Sequence, residues 1–102
     1  MHMIHSSDGE HIRNNNNDYR RGDALFRRVG SSLFASDSAH ALDTGRIVFK
    51  NSNAIHVSGN ELRTSTGLVY RLEGTTLYCS NGQRWYGVSS MSDAKAIASM
   101  NL

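Results

Sequence analysis

"TTLYCSNGQRWYGVSSMSDAKA", residues 75–96, decides how the rest of the chain is read. Two apolar-alternating runs flank Asn81-Gly82, residues that tolerate the positive φ angles of a tight hairpin. A serine-rich step then leads into an alanine-rich run. A two-residue loop at Asn81-Gly82 pairs Cys79 with Arg84, Tyr78 with Trp85 and Leu77 with Tyr86. Tyr78 and Trp85 then share one face, and Leu77, Cys79, Tyr86 and Val88 share the other.

Upstream, the same punctuation returns at each break from Arg46 onward. "RIVFK" ends at Asn51-Ser52-Asn53, "AIHVS" at Gly59-Asn60, "ELRT" at Ser65-Thr66-Gly67 and "LVYRL" at Glu73-Gly74. These are residues that favour hairpin turns. The chain has no proline, so every strand can donate to its ladder. A two-residue loop at Gly59-Asn60 pairs Val57 with Leu62, and a three-residue loop ending in Gly67 pairs Leu62 with Tyr70. A two-residue loop at Glu73-Gly74 pairs Tyr70 with Leu77. One face collects Ile55, Val57, Leu62, Leu68, Tyr70, Leu72, Leu77, Cys79, Tyr86 and Val88 as a core. The opposite face collects His56, Ser58, Glu61, Arg63, Val69, Arg71, Thr76, Tyr78 and Trp85, and is basic and aromatic. No internal repeat is read beyond this rhythm.

Downstream, Ser90-Met91-Ser92-Asp93 fits a helix cap, and Ala94, Ile97 and Ala98 make a narrow apolar stripe behind it. At the other end, Asp23 can cap a helix in which Leu25, Phe26, Val29, Leu33 and Phe34 recur at helical spacing, with Gly30 weakening its middle. Residues 1–18 are polar, asparagine-rich and aperiodic, and read as a disordered leader. The expected fold is therefore α+β. A twisted antiparallel β-meander of five to six strands, about 46–88, is flanked by an N-terminal amphipathic helix and a short C-terminal helix, all in one domain over 19–102.

Composition narrows the function classes. The 102 residues suffice for one small core. The longest apolar runs are far short of a transmembrane span, and no signal-peptide pattern precedes them. The single cysteine, Cys79, cannot form an internal disulfide, which makes a cytoplasmic setting the default. Residues 1–45 carry five arginines against six acids, and residues 46–102 carry six basic residues against three acids, so the net +2 is concentrated in the second half.

No constellation in the sequence argues for catalysis, a cofactor or a metal. His2-x-x-His5 lacks further fixed ligands. Cys79 and His56 fall on opposite faces, and Asp37, His40 and Asp43 are read as a solvated helical turn. Arg21-Gly22-Asp23 spells an adhesion tripeptide without a secretion signal. The expected function is a non-enzymatic binding module for an anionic partner, with nucleic acid favoured. Arg63, Arg71, His56 and Lys50 would meet phosphates while Tyr78 and Trp85 stack on bases. Arg27 and Arg28 on the first helix, with Arg20 and Arg21 just upstream of it, form a secondary binding candidate. The alternative is a small inhibitor or adaptor acting on another protein, and an open edge strand could support a homodimer.

Overall fold

Ile4, Ile12, Tyr19, Phe26, Leu33, Ala41, Val48, Ile55, Leu62, Tyr70, Leu77 and Trp85 follow one another at steps of seven or eight residues, and all are buried. Each is the inward-facing residue of a short strand, because side chains alternate between the two faces of a sheet. The computed structural model describes residues 2–35 and 40–102. It is a closed antiparallel barrel of twelve strands followed by one helix. The strands are β1 (His2–Ser6), β2 (His11–Asn15), β3 (Asp18–Arg21), β4 (Ala24–Val29), β5 (Ser32–Ala35) and β6 (His40–Asp43). They continue as β7 (Ile47–Lys50), β8 (Asn53–Ser58), β9 (Glu61–Thr64), β10 (Val69–Glu73), β11 (Thr76–Cys79) and β12 (Arg84–Tyr86). Helix α1 is Met91–Met100.

Neighbours in sequence are neighbours in the sheet all the way round, and β1 closes the ring on β12 through His5 opposite Tyr86 and Ser6 opposite Trp85. The seam is tightened by Ser7 N–H donating to the Arg84 carbonyl at 2.8 Å and by Gln83 Nε2 donating to Asp8 at 3.0 Å. Two turn geometries set the step length. Three-residue loops Ser7-Asp8-Gly9, Ser65-Thr66-Gly67 and Ser80-Asn81-Gly82 have their glycines at φ +92°, +94° and +93°, and each coincides with an eight-residue step.

The lumen is filled by α1. Twelve strands about 4.8 Å apart enclose a backbone ring roughly 18 Å across before tilt. That is wide enough for one narrow helix inside a single layer of strand side chains. Asp93, Ala94, Ala96, Ile97, Ala98 and Ser99 are all buried, which covers every side of the helix. Alanine and serine keep it slim. Ser90 caps it by accepting the Asp93 N–H at 3.2 Å, as the Ser-x-x-acid pattern requires. The Asp93 carboxylate turns inward instead, accepting from Tyr19 Oη and Asn14 Nδ2, each at 2.8 Å, and from the Ser89 hydroxyl at 2.9 Å. Burial and that carboxylate hold the Tyr19 hydroxyl well above its ordinary pKa, so it remains a donor.

This architecture corrects the expected α+β meander of five to six strands. The segment read as an N-terminal amphipathic helix forms β4 and β5. Phe26 and Leu33 point inward, whereas Val29 and Phe34 are exposed. The polar leader expected over residues 1–18 is taken up by β1, β2 and the start of β3. Its asparagines have specific places: Asn16 holds φ +59° in a turn and Asn14 reaches Asp93. Closure also leaves the expected edge-strand homodimer without a free edge among the described residues. No helix among them is long and apolar enough to cross a membrane.

Candidate functional site

The face assignment survives over β8–β10 and changes at the last hairpin. Val57 opposite Leu62, His56 opposite Arg63, and Tyr70 opposite Leu62 are all observed. The β10–β11 turn is displaced, so Tyr70 meets Cys79 instead of Leu77, a shift of two that keeps the faces. The β11–β12 loop has three residues rather than two, with Cys79 N–H bonded to the Gln83 carbonyl at 2.9 Å. The register therefore moves by one. Leu77 pairs with Trp85, and Tyr78 pairs with Arg84.

Trp85 consequently lies in the core at 1% exposure, its ring 5.8 Å from that of Tyr70, and cannot stack on a base. Tyr86, expected in the core, is exposed. Tyr78 is 39% exposed on the outer wall. Its cross-strand neighbours are Arg71 on β10 and Arg84 on β12, and the Arg84 guanidinium lies 5.7 Å from the Tyr78 ring centroid. Arg84 was absent from the sequence-based set because the two-residue loop had assigned it to the core face. Arg71 beside Tyr78 and Arg63 one strand further on are exposed and share Glu61, at 3.8 and 3.3 Å. His56 is exposed between Ile47 and Arg63. The outer wall of β8–β12 thus brings together five of the needed groups: His56, Arg63, Arg71, Tyr78 and Arg84.

Most of the remaining candidates serve the fold. Lys50 points inward, donates to the Ser99 carbonyl at 2.8 Å near the C-terminal end of α1, and stands 5.4 Å from the Phe26 ring centroid. Arg28 reaches Asp43 at 3.1 Å, and Lys95 on α1 reaches the same carboxylate at 3.3 Å. Burial pushes the Asp43 carboxyl up, but the Gly45 N–H, Lys95 and Arg28 together outweigh it and hold the pKa below the ordinary value. Arg27 makes a two-pronged pair with Asp18 at 2.8 and 3.0 Å. Arg21 meets Glu10 at 3.6 Å and Asn101 at 3.1 Å. Arg20 alone of that group is left on the outer wall without an ion pair among the described residues.

The rest of the wall is continuous with this patch. Tyr86, His5 and His11 form a row across the β12–β1 seam, with the two imidazole centroids 4.6 Å apart. His2 bonds the Gly87 carbonyl, so His2 and His5 do not converge. Among the described residues no three His, Cys, Asp or Glu side chains are grouped to hold a metal. His40 stacks on Phe34 at 5.0 Å on the outside of the barrel, and Asp43 of the same strand points inward, so the two do not form a dyad. Asp37 lies outside the described residues. On the opposite side, Val29, Phe34, Leu42 and Phe49 project from β4–β7 at 40–58% exposure.

These features define a small closed antiparallel barrel plugged by its own helix, with a basic-aromatic wall on one side and an apolar wall on the other. No family model matches the chain, and no curated protein or solved structure matches it.

Proposed function

We propose that this protein is a non-enzymatic binding module for an anionic partner, and that single-stranded nucleic acid suits its surface best. The observation that carries this reading is Tyr78 set between Arg71 and Arg84 on three adjacent strands. An exposed ring offers a stacking surface of any base sequence, and flanking guanidiniums meet the phosphates on either side. Glu61 offsets part of the charge on Arg63 and Arg71, while Arg84 has no carboxylate partner among the described residues. A cytoplasmic location belongs to the same reading and rests on the single unpaired cysteine.

The test is anisotropy of a labelled single-stranded oligonucleotide titrated with protein at about 50 and 200 mM salt. Binding should weaken steeply with salt, and Tyr78→Ala should lower affinity by roughly 5- to 150-fold, the worth of one stacked base. Arg71→Gln with Arg84→Gln should flatten the salt dependence. Absence of binding at the lower salt, or binding indifferent to these substitutions, would overturn the reading. A second reading, an inhibitor or adaptor acting on another protein, draws on the apolar wall of Val29, Phe34, Leu42 and Phe49. It requires Phe34→Ser and Phe49→Ser, not the Arg71 and Arg84 changes, to abolish partner binding.

A further inference from the structure

Across the seam, the wall of β1–β3 contains a pocket of about 360 Å³ lined by Met3, His11, Arg13, Arg20 and Gly22. Arg13 on β2 and Arg20 on β3 stand directly opposite one another. Like charges in that position repel and weaken a sheet, so their neighbours would ordinarily be expected to neutralise them. Here they do not. Neither guanidinium makes a hydrogen bond or ion pair among the described residues. Asp18 is close enough for Arg20 to lower its pKa, but Arg27 already holds both of its oxygens, at 2.8 and 3.0 Å. Glu10 faces Arg21 instead. A smaller adjoining hollow of about 240 Å³, lined by Arg13, Asn15, Asp18 and Arg20, lies against the same pair.

We infer that this pocket binds a phosphate monoester, and, resting on the function proposed above, that it takes the terminal phosphate of a bound strand. A monoester carries nearly two negative charges near neutral pH, matching two guanidiniums whose forked donors fit phosphate oxygens. A backbone diester carries only one. The pocket volume falls in the range that holds a small organic group rather than a bare ion. The Tyr86–His5–His11 row joins the pocket to the Arg71–Tyr78–Arg84 row, so a strand lying on one reaches the other.

The experiment compares one oligonucleotide with and without a terminal phosphate, at each end in turn, alongside inorganic phosphate and a mononucleotide. The phosphorylated form should bind about tenfold tighter or more, as a charge-assisted two-pronged contact provides. Arg13→Gln or Arg20→Gln should erase that preference. Arg71→Gln should weaken both forms equally and leave the preference intact. Each of the two pocket variants should also melt higher than the parent when free, because the repulsion is gone. Equal binding of the two forms, or a preference that survives loss of both arginines, would overturn the pocket. If neither oligonucleotide binds but the mononucleotide or inorganic phosphate raises the melting temperature of the parent and not of Arg20→Gln, the pocket stands and the nucleic-acid reading falls.

Discussion

One residue in one loop decides where the indole goes. Three loops of the pattern Ser-x-Gly, ending in Gly9, Gly67 and Gly82, share a glycine φ within a few degrees and the same bond from its N–H to the residue before the serine. The pattern was legible at Ser65-Thr66-Gly67, where it gave the right register. At Ser80-Asn81-Gly82 the Asn-Gly pair suggested a two-residue turn, and the one-residue slip exchanged Trp85 with Tyr86 between core and solvent. Trp85 Nε1 has no hydrogen-bond partner among the described residues, so the ring contributes through packing. Trp85→Ala should therefore destabilise the protein by about 3–5 kcal/mol, and Trp85→Phe by distinctly less, since no hydrogen bond is lost. Denaturant melts of the three proteins would measure this. In the parent, tryptophan emission should be blue-shifted and unchanged by oligonucleotide.

At the scale of elements, the missed half of the barrel was hidden by arithmetic. A strand and its turn occupy seven residues here, and seven residues are also about two turns of helix. Inward residues such as Phe26 and Leu33 therefore mimic a helical stripe. The outward Leu25, Val29 and Phe34 completed the illusion, because this wall leaves apolar side chains in solvent. The signals against it were Gly22 and Gly30, whose positive φ closes hairpins. Polar strands such as "HIRNN" gave no alternation to read, since each needs only one deeply buried residue to line a lumen one layer deep. Helix α1 is tied to its surroundings by Asp43, which binds Arg28 and Lys95 together. With its pKa held below the unfolded value of about 3.9, Asp43 takes up its proton less readily when folded. Its contribution is complete above that pH and is lost as pH falls through the lower folded value. Melting temperature should accordingly drop below about pH 4. Asp43→Asn should melt lower than the parent near neutrality yet lose less on acidification.

For the whole molecule, closure is the property on which the rest depends. The pairing of β1 with β12 joins segments about eighty residues apart, and Gly87 lies against it. A Cβ at Gly87 would sit 2.9 Å from the Met3 carbonyl oxygen, at φ +84°, whereas one at Gly74 meets nothing within 4 Å. Both alanine variants bear the strain of a positive φ, on the order of 1–2 kcal/mol. Only Gly87→Ala should also loosen the seam, seen as a larger loss in stability and faster amide exchange in β1 and β12 than in β6 and β7. The enclosed helix has a further consequence for how the chain is made. α1 follows all twelve strands in sequence yet occupies their centre. On the ribosome every strand emerges before the piece that fills it, so the barrel cannot close on a filled lumen until the helix has been released. The sheet must then wrap around the helix that follows it, which makes a short run of alanines the mandrel on which the barrel is wound.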